Sequence, residues 1–539
     1  MNARGGTRLV VAAIVTASLV AAASSSDKFY TAAASGTSTT RASSMTSASS
    51  TTARSTPPSH RASFAPAPCP NPIVAGVPRL DLGPEFECGY LTVPENRSKD
   101  NGRTIRIAVA RAKASSPNPK PDPIVYLTGG PGGSGLAVAG PLVRAGWNAD
   151  RDAIFLDQRG TLKSDPLLAC PEVDAFLIDQ LELSPMQPST ADRDAAATRA
   201  CHDRLVAAGI DLAAFNTTEN AADVADLRVA LGIPEWNVYG VSYGTDLALQ
   251  MVRDHPEGIR SLVLDSLVPP QLNLFEGFWP NAAAGYRALF AACAAQPACH
   301  GAFPNLEAEF VALVNELAAE PRTVPYTNPS TGQTVNTVFD GYTLANLVVV
   351  ASLVRGAIAK VPALIHDLAV GDGTLAAAAY VATAPPPGLT GYGLTYGVFC
   401  SEQTPFTTLK RVVAKAQRVL PDFPESVLSL VPQIPRVFED CANWSVPKAD
   451  QHTRKPARVD IPVLLLEGSL DAVAPVNWAE AAQKTLPNST LLVFPGAGHD
   501  VIAWQHVCAI AIMRNFLNQP DEFDDSCLQT VEVPPFDTE

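Results

Sequence analysis

The amino-acid sequence predicts a doubly wound α/β fold, a mostly parallel sheet interrupted by one large helical insertion. Three observations carry this. Short apolar runs without alternation, the pattern of strands buried on both faces of a parallel sheet, recur along the chain. They are separated by helical stretches, the order expected of βαβ units. The rhythm then stops between about residues 270 and 456, where Ala-rich helical segments and three prolines at Pro385–Pro387 replace it.

In chain order the runs are Thr104–Ala110, Ile124–Thr128, Ala153–Asp157, Asn237–Val241, Ser261–Asp265, Val463–Glu467 and Leu491–Phe494. Between them Asn220–Leu231 reads as a helix closed by Gly232 and Pro234. With 47% hydrophobic and 17% charged residues in 539, the chain has enough apolar bulk to fold despite its 47 prolines. Its 39 Lys+Arg against 53 Asp+Glu give a net charge of −14, the wrong sign for gripping nucleic acid or anionic lipid.

Ten cysteines raise the question of an oxidising compartment. Arg4 and Arg8 precede a charge-free run, Leu9–Ala23, that ends in three alanines, the three-part pattern of a secretory leader over residues 1–23. The run is shorter than the ~20 residues needed to span a bilayer. Residues 24–68, rich in Ser, Thr and Ala, read as a disordered linker or pro-segment. Residues 69–269 and 457–539 then form the two parts of the sheet domain, and 270–456 form an inserted helical lid.

The chemistry begins at Gly240-Val241-Ser242-Tyr243-Gly244. A bare GxSxG is a weak signal, but here a strand leads straight into Ser242 and Thr245–Arg253 continues as a helix. That context is a sharp strand-to-helix turn that thrusts out a nucleophilic serine. A serine needs a base to take its proton. Of eight histidines, His499 lies in a glycine-rich loop, Pro495–Asp500, directly after a strand. His506 is its nearest rival. A carboxylate must orient the base. Asp471 follows the strand ending at Glu467, with Asp265, also at a strand end, as the competing acid. Ser242, Asp471 and His499 stand in the order nucleophile, acid, base. For the developing oxyanion, the Tyr243 amide supplies one donor. The loop Thr128–Gly135 (TGGPGGSG) supplies the second, through Gly130 or, next, Gly129. It lacks the terminal Gly-Lys-Ser/Thr of a phosphate loop.

GGPGGSG, then Asp157-Gln158-Arg159-Gly160, GVSYG, GSLDAVAP and GAGH together resemble the secreted tripeptidyl aminopeptidases of actinobacteria, within the proline iminopeptidase-like α/β-hydrolases. The resemblance runs from about Cys69 to Cys527. Cys400-Ser401-Glu402 resembles that subgroup's Cys-x-Asp/Glu motif, and Cys441-Ala442-Asn443-Trp444 its Cys-x-x-Trp. There are departures: Leu162 fills a glycine position, Ala474 a frequent threonine, and Thr128 the histidine that opens the glycine loop in proline iminopeptidases.

The resemblance implies a secreted serine exopeptidase that releases short peptides, tripeptides among them, from free N-termini through an acyl-enzyme. It places Glu402 in the lid facing the nucleophile, where a carboxylate could hold the substrate's protonated amine; the alternative is a solvated surface glutamate. Ten cysteines allow on the order of a thousand pairings. Proximity and the resemblance suggest Cys69–Cys88, Cys170–Cys201, Cys293–Cys299, Cys400–Cys441 and Cys508–Cys527. With no CxxC or HExxH, no metal is expected, and no cofactor. The expected partners are short peptides or unstructured protein N-termini, met by a monomer, with no nucleic acid and no membrane insertion after leader removal. Other readings are an esterase or acyl hydrolase on a small molecule, a proline iminopeptidase, and a non-catalytic binding protein.

Overall fold

A computed structural model describes residues 62–538, apart from 71–79, 81, 100 and 330. The expected leader and most of the expected linker lie outside the described residues. Eleven strands are present among those described: β1 Ser63–Pro66, β2 Phe86–Pro94, β3 Thr104–Ala112, β4 Ile124–Leu127, β5 Ala153–Leu156, β6 Trp236–Val241, β7 Ile259–Asp265, β8 Arg322–Thr327, β9 Thr334–Phe339, β10 Val463–Gly468 and β11 Ser489–Phe494. Nine of them make one sheet in the order β1-β2-β3-β5-β4-β6-β7-β10-β11. The pairs from β5 to β11 are parallel, and β1, β2, β3 and β5 pair antiparallel.

All seven predicted strands are present, within two residues at either end. Four strands escaped the sequence. In β2 (FECGYLTVP) the Glu, Gly and Thr look like loop residues, yet it pairs with β3 over nine residues. The predicted linker end at residue 68 is too late, because Ser63–Pro66 adds to the edge of the sheet against β2. Hairpin β8–β9 corrects the expectation of a strand-free insertion. Its β8 alternates half-buried and exposed residues, a pattern too weak in Arg, Thr and Pro to read as a strand.

Strand order reverses at β4, which pairs with β5 on one side and β6 on the other. In such a sheet the ends of the strands at the reversal open a crevice. The glycine loop follows β4 and Ser242 follows β6, so both candidate elements meet there.

Between β7 and β10 the chain is helical apart from the hairpin, with helices including Leu274–Ala295, Leu306–Ala319, Gly341–Ala351, Val361–Ala369 and Leu409–Val419. It has no core of its own. One contiguous cluster of buried side chains runs from Val238, Leu264 and Leu465 in the sheet to Phe275, Phe310 and Phe399 in the insertion. Five disulfides join the cysteines in consecutive pairs, Cys69–Cys88, Cys170–Cys201, Cys293–Cys299, Cys400–Cys441 and Cys508–Cys527. No described helix is long and apolar enough to cross a membrane.

The Asp157–Gly160 motif is architectural. Arg159 is fully buried, and its guanidinium donates to both oxygens of Asp223, at 2.8 Å each, and to the carbonyls of Glu95 and Ala214. Asp157 accepts from Ser134 Oγ and the amides of Leu136 and Lys163, pinning the helix that follows the glycine loop. Leu162, at the departure from the glycine pattern, is buried against Leu389. Without Arg159, Asp223 would keep only Arg97 and the carbonyls of Glu95 and Ala214 would lose their donor. Arg159→Leu is therefore expected to destabilise the protein by about 2–4 kcal/mol, read as a fall in denaturant midpoint.

Candidate active site

Strand β6 is buried along its whole length and delivers Ser242 into a turn with φ 55° and ψ −125°, a region L-residues rarely occupy. The turn is held from three sides. Ser242 N donates to Asp265 O on β7 at 3.0 Å. Its carbonyl accepts from the Thr245 amide at 2.8 Å and from Thr245 Oγ1 at 2.6 Å. A Cβ on Gly240 would lie 2.3 Å from Gly244 O, and one on Gly244 only 2.0 Å from Leu127 O, so both glycines of the motif are needed for backbone approach. The helix beyond spans Tyr243–Asp254, two residues earlier than its apolar pattern suggested.

His499 is 7% exposed, and its Nδ1 lies 2.8 Å from Asp471 Oδ2. The other oxygen of Asp471 accepts from the amides of Val473 and Ala474 at 2.7 and 2.9 Å, which orients the carboxylate. Ala474, where the resemblance has a threonine, packs against Val268 and Trp478. Asp265, the competing acid, is committed elsewhere. It accepts from the amides of Val501 and Ile502 and from Tyr239 OH, capping the short helix after His499. His506 faces Arg355 at the surface.

Ser242 and His499 line one cavity of ≈390 Å³, together with Thr128, Gly129, Gly130 and Tyr243. No hydrogen bond joins Ser242 to His499 among the described residues. Gly129 presses on the serine: a Cβ there would lie 2.8 Å from Ser242 Cβ. Gly130 has φ 118°, a glycine conformation. The Tyr243 hydroxyl is anchored away from the cavity mouth by Thr217 Oγ1 and Asn220 Nδ2.

Glu402 differs from expectation. It sits in a one-turn π-helix, Phe399–Gln403, and is 1% exposed. Its oxygens accept from the Thr217 amide at 2.8 Å and Thr217 Oγ1 at 2.7 Å, and the residue that reaches the cavity wall is its neighbour Gln403. Burial, reinforced by the charge of Asp246, pushes Glu402 up to about 7. Several residues at the site were not singled out from the sequence. Asp246 and Asp500 line the cavity, and Ser352 of the insertion accepts from His499 N at 2.8 Å through its carbonyl. Burial raises Asp246 to about 6; burial and neighbouring Asp265 raise Asp500 to about 7. Only the strand-end setting of Asp500, beside His499, was a signal in the sequence. No group of His, Cys, Asp and Glu able to hold a metal is present among the described residues.

A serine on a strained strand-to-helix turn, a histidine and carboxylate on the loops after the last two strands, and a glycine loop at the point of strand reversal define the α/β-hydrolase fold. A family model for that fold matches residues 122–311, and one described as TAP-like protein matches residues 432–527. The chain thus has the α/β-hydrolase fold, with a C-terminal part that matches the TAP-like model. Among curated proteins it is similar to the tripeptidyl aminopeptidase of Streptomyces coelicolor, 32% identical over 225 residues, 37% of this chain and 41% of that one. It is also similar to the proline iminopeptidase of Neisseria gonorrhoeae, 29% identical over 170 residues, 31% of this chain and 39% of that one. The chain therefore spans about two fifths of the length of these relatives. A proline iminopeptidase structure from Mycobacterium smegmatis covers 80% of this chain and 98% of its own at 16% identity, with a TM-score of 0.36, too loose a match to bear on function.

Burial pulls the His499 imidazole down, but the charge and hydrogen bond of Asp471, with Asp500 and Asp265 beyond, raise it above its usual 6.5 overall. A base works only when neutral, so activity is expected to fall on acidification with a midpoint above 6.5. Asp471→Asn is expected to move that midpoint down and cut kcat by about 10⁴-fold, measured as kcat against pH. Gly244→Ala is expected to abolish turnover, because its Cβ would meet Leu127 O at 2.0 Å; activity assays on the purified variant check it.

Proposed function

We propose that the protein is a serine peptidase that removes short peptides from free N-termini through an acyl-enzyme. The observation that carries this is the 2.8 Å contact of Asp471 with His499, on the wall of the cavity into which the strained turn presents Ser242. Ser242 Oγ attacks the scissile carbonyl as His499 takes its proton, with Asp471 holding the imidazole by its Nδ1–H. The carbonyl oxygen gains negative charge and is held by the amides of Tyr243 and Gly130, with Gly129 closing the turn behind. Collapse expels the amine, which takes the proton from His499. Water then repeats the sequence on the ester and frees Ser242.

A peptide substrate is favoured by the similarity to peptidases and by the roof over the cavity. The insertion contributes Phe278, Tyr342, Tyr380 and Gln433 to its wall, giving a partly covered cleft that suits a chain end better than a folded surface. Five disulfides suit an oxidising compartment, which agrees with export.

Labelling by a fluorophosphonate probe is expected for the wild type and not for Ser242→Ala. Ala-Ala-Pro p-nitroanilide with a free amine is expected to turn over at least ~10-fold faster than its N-acetylated form, from the loss of a charge-assisted contact. Labelling with ester hydrolysis alone would instead identify an esterase.

A further inference from the structure

A peptidase selective for free N-termini needs a carboxylate that faces its substrate and is not already paired. Glu402 does not meet that need: it is not among the residues that line the cavity, and each of its oxygens already accepts from Thr217. Two carboxyl groups do reach the cavity wall, Asp246 and Asp500. Asp500 is in service to the catalytic loop: it caps the helix after His499 through Ala503 N at 3.2 Å, and its own amide is held by Ser266 Oγ at 2.8 Å.

Asp246 caps nothing. It is 3% exposed, and its one hydrogen bond among the described residues comes from the neutral side chain of Gln250, one turn further along the same helix, to Oδ1 at 3.2 Å. The cations nearest to it are engaged elsewhere. Arg253 forks onto Asp254 at 2.8 Å, and Arg454 donates to Gln403 Oε1 at 3.0 Å. Asp246 is thus a buried carboxyl with one oxygen free on the wall of the reaction cavity and no ion-pair partner. Such a group is costly to leave unpaired. An arriving ammonium would supply the missing partner and the missing hydrogen bonds together.

The position fits. Asp246 lies one helical turn, ~5.4 Å, beyond the nucleophile, and helical side chains lean back toward the N-terminus, here toward the turn that carries Ser242. Three extended residues span ~10 Å, so a short peptide with its scissile bond at Ser242 can set its first nitrogen near this carboxylate. The α-amino group of a peptide, with an ordinary pKa near 8, is protonated at neutral pH.

We propose that Asp246 receives the protonated α-amino group of the substrate, a role that rests on the peptidase reading above. Glu402, one step behind, holds Thr217 and with it the start of the helix Thr217–Ala230.

The test compares three probes: Ala-Ala-Pro p-nitroanilide, its N-acetylated form, and p-nitrophenyl acetate as a neutral ester. Asp246→Asn is expected to lower kcat/KM for the free-amine peptide by about 10- to 100-fold, mainly through KM, the loss of one charge-assisted hydrogen bond. The acetylated peptide and the ester should stay within about twofold of wild type, and so should the rate of fluorophosphonate labelling, which reports an intact fold. Asp246→Glu, which keeps the charge, should retain part of the preference for the free amine. Glu402→Gln should slow all three probes alike. Equal losses of Asp246→Asn on every probe, no loss on the free-amine peptide, or a free-amine-selective loss in Glu402→Gln would each overturn the assignment. A wild type indifferent to acetylation would overturn the exopeptidase reading and this assignment with it. A wild type that prefers the free amine while Asp246→Asn keeps that preference would overturn the assignment alone.

Discussion

The turn at Ser242 is the constraint on which the surrounding structure depends. A backbone at φ 55° and ψ −125° costs on the order of 1–3 kcal/mol and persists only if its neighbours hold it. Here β7 takes the Ser242 amide, Thr245 takes its carbonyl, and the absence of side chains at Gly240 and Gly244 lets the helix start against the end of β4. The same close approach brings the glycine loop, which follows β4, into contact with the serine. Ser242 and the candidate oxyanion donors are therefore positioned by one packing event. Asp265 extends the linkage: its carbonyl holds Ser242, and its carboxylate caps the helix after His499.

The insertion is part of this arrangement rather than a loose cover. Ser352, just past the helix Gly341–Ala351, accepts from His499 N through its carbonyl and from Ala472 N through its hydroxyl, so it touches the loops that carry His499 and Asp471. Gly498 has no room for a side chain, since a Cβ would lie 2.2 Å from Ser352 O. Asn281 on the helix Leu274–Ala295 donates to Val473 O at 2.7 Å, beside Asp471. Glu402 reaches the other way and fastens Thr217 in the first half of the chain. Shifts in the insertion would be felt directly at the Asp471–His499 contact.

Five carboxyl groups, Glu467, Asp265, Asp500, Asp471 and Asp246, lie in this region, and their environments differ. Glu467 is fully buried with one oxygen unpartnered, and burial pushes its carboxyl well above the usual range. Asp265 and Asp500 stand close together, and burial raises both, to about 6 and about 7. Asp471 has two amide donors on one oxygen and the His499 imidazole on the other. Asp246 remains as a buried carboxyl open to the cavity. The structure thus separates acids that look alike in the sequence by what donates to each.

The sequence by itself determined the strands of the parallel core, the elbow at Ser242, the glycine loop and the order Ser242, Asp471, His499. It could do so because those features are local: apolar runs for strands buried on both faces, and glycines where a backbone must pass close. Strands β1, β2, β8 and β9 were not legible, because edge and hairpin strands carry polar residues whose partners lie far along the chain. Only the tertiary structure shows that Asp471, in the loop after β10, rather than Asp265, at the end of β7, meets the imidazole of His499 after the neighbouring β11. It also turned Glu402 inward and Asp246 toward the cavity. Side-chain direction at those positions is set by packing between the insertion and the elbow helix, and no spacing in the sequence records it.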